Sequence, residues 1–271
     1  MDNHQATVIT QSFGTTEEAF SSTQALLNLR HAFISAAADG VTVLASSGDG
    51  GTASSTFTPV KNPTLVPFPS VIWPASDPLV TAVGGTYLCT NPVTGTSVDS
   101  TDAPSRCQAN PGVREVGWVD SGGGFSSIFA TPAYQNSLPT GSTANAGMRG
   151  IPDVAFQASS TTGPLVYDTA PGAGGWFIVG GTSCSSPEFS GIVAIADQIA
   201  SHGLGQINAT LYQLANRPNY GTYFFDVNTG NNQTVASIPG YPATTGWDPV
   251  TGLGTPNAAA LAPALAAGLQ P

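Results

Sequence analysis

Three features of the sequence predict an α/β fold built on a parallel β-sheet. Short β-branched runs alternate with apolar helical stretches, and the first such unit is a strand near 7–13, a helix near 16–39 and a strand near 41–47. The 32 glycines and 22 prolines interrupt well-defined apolar segments, as in a protein with ordered loops. Hydrophobic residues make up 41% of the 271 positions, enough to bury the core of one domain.

The remaining elements follow in chain order. The stretch from 91 to 142 is rich in loops, and strands are expected near 164–168 and 175–180. The second of these strands leads into a helix that follows residue 183, and an alanine-rich helix near 257–269 closes the chain. No linker or internal repeat divides the sequence, which favours a single domain over 1–271.

A turn that runs directly into a helix carries the first candidate for chemistry, Ser183. Residues 180–187 read Gly-Gly-Thr-Ser-Cys-Ser-Ser-Pro, and an apolar stretch over 189–200 follows. The glycines permit a tight turn, the Ser183 hydroxyl lies where N–H groups of a helix are unpaired, and Pro187 is compatible only with a first turn. The pattern fits a serine nucleophile or an ordinary helix cap.

Asp49 is the second candidate. It stands in the sequence Ser-Gly-Asp-Gly-Gly directly after the β-branched run at 41–47. Ligands of open parallel sheets bind beyond the carboxyl ends of the strands, which is where this position would place the side chain. The alternative is a turn aspartate with no further role.

Two acids in glycine-rich loops, Asp226 and Asp248, form the third candidate site. They lie in the segments 225–228 and 246–256. Irregular loops present free backbone carbonyls, and calcium prefers carboxylate and carbonyl oxygens. The two loops therefore indicate a calcium site, with ordinary loop acids as the alternative.

Taken together and in this order, the three segments resemble the sedolisin family, the serine-carboxyl peptidases with a subtilisin-like fold. The resemblance rests on Gly-Gly-Thr-Ser-x-x-x-Pro, on the Ser-Gly-Asp-Gly strand end and on Gly-Trp-Asp-Pro-x-Thr-Gly-x-Gly-Thr-Pro. It spans nearly the whole chain, with further matching segments at 8–14, 80–86, 121–126 and 150–154. It implies a subtilisin-like parallel sheet flanked by helices and the hydrolysis of peptide bonds.

The resemblance also implies roles for the catalytic candidates. Ser183 corresponds to the nucleophile, and Asp49 corresponds to the acid that completes the oxyanion hole. Because a carboxyl donates a hydrogen bond only when it is protonated, such a role favours acidic surroundings. Subtilisin-type enzymes have an asparagine at this position, so Asp49 distinguishes the sedolisin pattern from the subtilisin pattern.

Substrate and metal ligands follow from the same resemblance. Ser12, Phe13 and Gly14 correspond to the edge strand on which the family aligns its peptide substrate, a mode of pairing that reads backbone more than side chains.

For calcium, Ca2+, the resemblance implies the side chains of Asp226 and Asp248 and the carbonyl oxygens of Val227, Thr244 and Gly246. Thr244 stands where the family usually has glycine, a change that a carbonyl ligand tolerates.

The catalytic base is where the sequence departs from the family pattern. The family uses a glutamate and an aspartate four residues apart, on a helix ahead of the strand that matches 8–12. The seven residues before Val8 offer no such pattern, and Glu17 and Glu18 suit the first turn of the helix near 16–39 better than a catalytic role. We therefore expect an endopeptidase domain that lacks its N-terminal part, with the base, and a propeptide, on another segment; alone, such a chain would be inactive or incomplete.

Two alternatives remain. A catalytically silent relative would keep the substrate strand and the calcium site and bind peptides without cleaving them. A subtilisin-type Ser-His-Asp protease would need one of the three histidines, His4, His31 or His202, as its base. None of them lies in the His-Gly-Thr-His setting typical of subtilisin relatives, and Asp49 in place of asparagine argues against this type.

Composition excludes several partners and favours an acidic, secreted setting. There are 6 lysines and arginines against 16 acids, which argues against nucleic acid because phosphate binding needs a basic patch. No apolar run reaches the roughly 18 residues of a membrane span, and the start lacks a signal-peptide pattern. We expect protein or peptide substrates in a secreted or lysosome-like compartment, with any signal peptide upstream.

The three cysteines are the last feature that bears on location. Cys89 and Cys107 flank a loop and could form a disulfide in an oxidising compartment. Cys184 would then be the free thiol, packing as a small apolar group beside Ser183. Asn208 and Asn232 begin Asn-x-Thr sequences, which matter only in a eukaryotic secretory pathway.

Overall fold

The structure is a computed structural model that describes residues 5–56, 64–89, 107, 112–144, 147–172 and 174–268. The strands in these residues are β1 Val8–Gln11, β2 Thr15–Thr16, β3 Thr42–Ser46, β4 Ser55–Thr56, β5 Thr64–Leu65, β6 Ile72–Trp73, β7 Thr81–Leu88, β8 Glu115–Gly117, β9 Gly124–Ala130, β10 Met148–Ile151, β11 Val154–Gln157, β12 Leu165–Asp168, β13 Gly175–Ile178, β14 Phe224–Phe225 and β15 Thr255–Pro256. The α-helices whose bounds lie within these residues are α1 Thr23–Leu29, α2 His31–Ala38, α3 Thr182–Ala200, α4 Asn208–Ala215, α5 Tyr220–Tyr223 and α6 Ala258–Ala267.

A parallel sheet lies at the centre of the molecule, as the sequence predicts. Its strands follow the order β1-β3-β7-β11, each parallel to the next, and β8 joins β7 in the antiparallel direction. The other strands form two-stranded antiparallel ladders, among them the β12–β13 hairpin that precedes α3. The prediction of an α/β fold is confirmed.

Helices cover both faces of this sheet. Successive strand residues point to opposite faces, and Leu44 and Val83 pack in the core cluster that contains residues of α3. Val43 and Ala45, the residues on either side of Leu44 in β3, pack instead with Phe33 of α2. The fold therefore has three layers, with α3 and α2 on opposite sides of the strands.

The helix α3 buries one stripe of its surface. Phe189, Ile192, Val193 and Ala196 recur at the spacing of one helical face and are almost fully buried. Each buried aliphatic or aromatic side chain of this kind stabilises the fold by about 1.5–3 kcal/mol. This packing fixes the position of the N-terminal turn of α3 relative to the sheet.

The prediction of one helix near 16–39 is wrong in the extent of that helix. The structure has a single 3₁₀ turn at Glu17–Ala19, followed by α1 and α2. Ser22 ends the first segment because its hydroxyl accepts a hydrogen bond from the Ala25 N–H at 3.1 Å, which caps a new helix. The closing helix, expected near 257–269, spans Ala258–Ala267.

The middle of the chain holds more strand than the sequence indicates. The part of 91–142 that the structure describes contains β8 and the seven-residue strand β9, while 90–106 and 108–111 lie outside the described residues, as does His4. Cys89 and Cys107 form the expected disulfide, with 5.7 Å between their Cα atoms. Across the described part of the chain, no helix combines the length and apolar character needed to cross a membrane.

Candidate active site

Ser183 is the second residue of α3, and its side chain is exposed. Gly181 precedes the helix with a φ of 86°, a left-handed conformation that glycine adopts without strain. The first N–H groups of a helix have no partner within it, so the backbone N–H of Ser183 is free of an intrahelical bond. Ser183 thus lies where sequence reasoning expects it.

Pro187 lies one turn deeper in α3 than the sequence analysis expects. It is the sixth helical residue, so its missing N–H removes the bond that Ser183 O would otherwise accept from residue 187. The hydroxyl of Ser12 donates to this carbonyl instead, at 3.0 Å. The end of β1 and the start of α3 are therefore held together by a contact that the proline makes available.

The end of β3 holds the same turn from the other side. The hydroxyl of Ser46 donates to the carbonyl oxygen of Thr182 at 2.9 Å, and the N–H of Gly48 donates to Thr182 Oγ1 at 3.1 Å. Thr182 is fully buried, and its links to the strand end leave little freedom in the first turn of α3.

Thr182 also orients Asp49. Both its N–H, at 2.7 Å, and its hydroxyl, at 2.8 Å, donate to Asp49 Oδ1. Asp49 Oδ2 takes part in none of the hydrogen bonds between described residues, and it lies against Gly181, where a Cβ would come within 2.6 Å of it. The structure therefore brings Asp49 and Ser183 together through Thr182, and only glycine fits at position 181.

The predicted substrate segment, Ser12 to Gly14, follows β1 and is exposed. The predicted strand extends to residue 13, but the ladder with β3 ends at Gln11. Phe13 leaves 67% of its side chain exposed. At Gly14 a Cβ would lie 2.7 Å from Trp73 O, so the backbone at this point packs closely against β6.

A cavity of about 240 Å³ opens beside Asp49. Among the described residues, its walls come from four parts of the chain: residues 14–16, residues 47–51 and 53–55 after β3, Ser70 with Ile72, and Gly122. The turn that holds Asp49 and the end of the predicted substrate segment thus border the same open cavity. The cavity has no local signal in the sequence, because its walls are far apart in the chain.

Within the described residues, no carboxylate or imidazole is hydrogen-bonded to the Ser183 hydroxyl. Glu17 accepts hydrogen bonds from the hydroxyls of Ser126, at 2.7 Å, and Ser127, at 2.9 Å, and from the Ser127 N–H at 2.7 Å. Glu18 accepts from Thr16 and, at 3.2 Å, from Ser127. Both acids tie the 3₁₀ turn to β9, a contact that differs from the expected place in the first turn of a long helix.

Neither described histidine is near the N-terminal turn of α3. His202 follows the C-terminal end of this 19-residue helix, which at 1.5 Å per residue lies about 28 Å from the other end. His31 begins α2, on the opposite face of the sheet.

Cys184 is the free thiol, and it faces Glu188 one turn further along α3. Its Sγ lies 3.6 Å from Glu188 Oε1. Burial and the neighbouring carboxylate raise the pKa of Cys184 to about 11, which favours the unreactive thiol form.

The five predicted metal ligands come together in the C-terminal loops. The N–H of Gly246 donates to both oxygens of Asp226 at 3.2 Å, and the N–H of Thr244 donates to Asp248 Oδ2 at 3.0 Å. Val227 O accepts a bond from Thr251 Oγ1 at 3.2 Å, and this hydroxyl also contacts Asp248.

Burial makes the charge of both carboxylates costly. It raises the pKa of Asp248 to about 7 against four stabilising hydrogen bonds, and it raises the pKa of Asp226. No ion pair to either acid occurs among the described residues. A buried acid and a half-buried one without a positive partner are the environment that a bound cation would stabilise.

The donor atoms suit calcium. Both side chains offer carboxylate oxygens, and no hydrogen bond between described residues ends on the carbonyl oxygen of Thr244 or of Gly246. Gly246 has a φ of 79°, which turns this loop sharply. The described residues hold no group of three or more His, Cys, Asp or Glu side chains, so a cation here would depend on backbone oxygens.

Comparison with known proteins gives no match to a family profile. Kumamolisin from Bacillus sp. (strain MN-32) is 34% identical over 263 residues, which cover 93% of this chain and 41% of that protein. Human (Homo sapiens) tripeptidyl-peptidase 1 is 33% identical over 280 residues, covering 94% and 42%. The chain thus spans about two fifths of the length of the curated relatives it matches.

Among solved structures, the chain is similar to Pseudomonas sedolisin, a serine-carboxyl proteinase, in complex with two molecules of pseudo-iodotyrostatin. The TM-score is 0.75 at 30% sequence identity, and the match covers 98% of this chain and 67% of that one.

Proposed function

Because the chain belongs to the sedolisin family of serine-carboxyl proteinases, we propose that it forms the larger part of an acid-acting endopeptidase site. The observation that carries this proposal is the contact of Thr182 with Asp49, which places a carboxyl group beside the turn of Ser183. The proposed substrates are flexible or unfolded proteins and peptides.

In the proposed reaction, Ser183 Oγ attacks the peptide carbonyl carbon. The negative charge that develops on the carbonyl oxygen is stabilised by the free N–H of Ser183 and by the protonated carboxyl of Asp49. The two bonds from Thr182 occupy Oδ1 and leave Oδ2 as the oxygen that carries the donated proton. An aspartate in this role works only where it is protonated, which is the reason for expecting an acidic optimum.

The base that takes the serine proton is proposed to be a carboxylate outside residues 1–271. In support, the described acids near the site are engaged elsewhere, Glu17 and Glu18 with β9 and Glu188 with Cys184. A glutamate suits this task, since its ordinary pKa of about 4.3 lies near the working pH. A propeptide is a further proposed partner.

The substrate backbone is proposed to lie along Ser12, Phe13 and Gly14. These residues continue an edge strand and have no ladder partner of their own, so their N–H and C=O groups are available to an extended peptide. Ser12 then has two roles, since its side chain fixes the carbonyl of Ser183 while its backbone faces the peptide.

Calcium is proposed to be bound by the side chains of Asp226 and Asp248 together with the carbonyl oxygens of Val227, Thr244 and Gly246. When bound, the cation would supply positive charge to the buried carboxylate of Asp248 and the half-buried one of Asp226, and would stabilise the loops between β14 and β15. It takes no part in the proposed acyl transfer. The Cys89–Cys107 disulfide supports a secreted location or an oxidising compartment.

Peptide hydrolysis by this chain near pH ~4, beside the Ser183→Ala variant, tests the proposal. If neither protein hydrolyses the peptide, the result agrees with a base supplied from outside residues 1–271. Activity that Ser183→Ala abolishes would confirm the nucleophile but place the base within residues 1–271. Activity that survives Ser183→Ala would contradict the assignment of Ser183.

A further inference from the structure

The first two turns of α3 are attached to β1 and the residue that follows it at two points. The hydroxyl of Ser12 donates to the carbonyl oxygen of Ser183 at 3.0 Å, and the hydroxyls of Thr10 and Ser186 share a hydrogen bond of 2.7 Å. Thr10 and Ser12 are two residues apart, so both side chains lie on the strand face that packs against α3. Ser183 and Ser186 are three residues apart, close to one turn of the helix.

These two bonds restrict α3 in a way that its apolar packing does not. The buried stripe places the helix against the sheet, but apolar contacts have no preferred direction. Hydrogen bonds are directional, and two of them one turn apart resist rotation of the helix about its own axis. The Ser183 hydroxyl belongs to this turn, so its direction depends on that rotation. Groups that act in catalysis have to be held within about 0.5 Å and about 10–20° of the productive geometry.

The partner of the Ser186 hydroxyl is not the usual one for a serine inside a helix. Such a hydroxyl commonly bonds to the carbonyl four residues earlier, which here belongs to Thr182. That carbonyl faces the helical N–H of Ser186 and also accepts from the Ser46 hydroxyl at 2.9 Å, so both of its lone pairs are in use. Ser186 is 0% exposed, and without Thr10 its hydroxyl would lose the hydrogen bond that the described structure gives it.

We infer that Thr10 and Ser186 are a positioning pair for the proposed nucleophile: their hydrogen bond fixes the rotation of α3 and with it the direction of the Ser183 hydroxyl. Neither residue touches the reacting atoms. The inference rests on the proposed function, because it assumes that Ser183 attacks a peptide lying along the segment 12–14. A displacement of about 1 Å at a reacting centre can cost on the order of 10²-fold in rate, so this bond matters more for the chemistry than for folding stability.

A purely structural role of the same bond predicts a different result. Its loss would then lower Tm and change the affinities for all ligands of the site alike. A positioning role affects an aldehyde more than the matching alcohol, because only the aldehyde bonds covalently to Ser183. In that addition Ser183 Oγ joins the aldehyde carbon, the hydroxyl proton ends on the former carbonyl oxygen, and no group leaves. The ratio of the two affinities therefore distinguishes the two roles.

Equilibrium affinities for a peptide aldehyde and the matching alcohol test the inference on the whole chain. Thr10→Val keeps a branched side chain without the hydroxyl, and we expect it to lower the aldehyde-to-alcohol affinity ratio at least ~10-fold. Ser186→Ala should lower the ratio similarly with little loss of Tm, because alanine favours a helix more than serine does. Thr10→Ser retains a hydroxyl and should restore most of the ratio.

Thr42→Val is the matched control. The Thr42 hydroxyl donates to Gly205 O at 2.6 Å, and Thr42 begins β3, at the end of the strand opposite to Asp49. This variant removes a hydrogen bond of a strand threonine away from the candidate active site, so we expect a lower Tm and an unchanged affinity ratio. The double variant Thr10→Val/Ser186→Ala should lower the ratio no further than the larger single change, because both changes remove the same bond.

The outcomes separate the inference from the function on which it rests. An unchanged ratio in Thr10→Val and Ser186→Ala, or an equal fall in Thr42→Val, would overturn the positioning pair and leave the proposed function intact. Additive losses in the double variant would show that the bond between the two residues is not the cause, and would overturn the pair as well. An unmutated chain that binds the aldehyde no more tightly than the alcohol would contradict the proposed function and the inference with it.

Discussion

The hydroxyl of Ser12 donates a hydrogen bond to the carbonyl oxygen of Ser183 across 3.0 Å. This contact joins the end of the edge strand β1 to the first turn of α3, and it exists because Pro187 cannot supply the helical N–H that would otherwise occupy the carbonyl. A proline inside a helix thus has a structural use here, since it releases one acceptor for a contact between distant parts of the chain.

Replacing Ser12 by alanine tests this contact. We expect a loss of about 1 kcal/mol of folding free energy and a fall in Tm of about 2–4 °C, because the carbonyl of Ser183 loses its donor. Thermal unfolding measures the effect, with Ser35→Ala as the matched serine control. A Tm for Ser12→Ala equal to that of the control would show that the bond contributes nothing.

Thr182→Val tests how Asp49 is positioned. Valine keeps the volume of the side chain but removes the hydroxyl that accepts from the Gly48 N–H and donates to Asp49. We expect the free energy of unfolding to fall by about 1–3 kcal/mol, because Gly48 and Asp49 each lose a hydrogen-bond partner. Thr182→Ser retains the hydroxyl and should preserve most of the affinity for a peptide aldehyde. Equal affinities for the valine and serine variants would contradict a positioning role.

Asp49→Asn tests the protonated-donor role. An amide donates a hydrogen bond without needing a proton, so we expect aldehyde affinity to extend to higher pH in this variant. Affinity measured from about pH 3 to pH 7 gives the profile for both proteins. If the two profiles fall at the same pH, the proton that limits binding does not belong to Asp49.

Calcium should raise the stability of the unmutated chain. At a free concentration 100-fold above its Kd, an ion that binds only the folded state adds about 2.7 kcal/mol, or about 5 °C or more in Tm. Asp248→Asn should abolish this response, whereas Asp39→Asn, an exposed acid after α2, should retain it. A Tm that neither calcium nor a chelator changes would contradict the metal site.

The buried carboxyl of Glu115 should make the folding stability depend on pH in a way that does not involve the candidate active site. Burial raises its pKa, and its Oε1 accepts from Thr86 at 2.5 Å and from Thr255 at 2.8 Å while Oε2 has no partner in the described structure. The neighbouring Arg114 is the charged group that opposes this shift. Because the folded pKa exceeds the unfolded one, the stabilisation from this group is complete below pH ~4.5 and is lost as pH rises through the folded pKa.

Glu115→Gln should therefore unfold at a higher temperature than the unmutated chain near pH 7 and at a similar temperature near pH ~4. Both proteins are unfolded in saturating calcium. With the proposed metal site occupied in both, Asp226 and Asp248 do not contribute to the difference in Tm between them. If the Tm of both proteins changes by the same amount between these two pH values, Glu115 does not contribute to the pH dependence of stability.

The sequence predicts the layers of this fold well and its element boundaries less well. The alternation of β-branched and helical stretches is a strong local signal, and it places β1, β3, β12, β13 and α3 within a few residues. The helix near 16–39 fails because Ser22 can cap a new helix as easily as it can continue an old one. Such a choice depends on tertiary packing rather than on intrinsic preference.

The site is predicted by residue type but not by its supporting contacts. Ser183 and Asp49 follow from local motifs, whereas the role of Thr182 depends on a contact with a residue 133 positions away. Asn208 and Asn232 carry the Asn-x-Thr pattern, and the structure has both side chains fully buried and donating to backbone carbonyls. Burial of this kind arises from long-range packing, which a short motif does not encode.

The most direct test of the central claim is the equilibrium affinity of the chain for a peptide aldehyde compared with the matching alcohol. The aldehyde can form a hemiacetal with Ser183 whose oxygen lies at the proposed oxyanion position, and the alcohol cannot. We predict that the aldehyde binds at least ~100-fold more tightly, that its labelled carbon becomes tetrahedral in a 13C NMR spectrum, and that Ser183→Ala abolishes both effects. Equal affinities for the two compounds, or a tetrahedral adduct that persists in Ser183→Ala, would contradict the account.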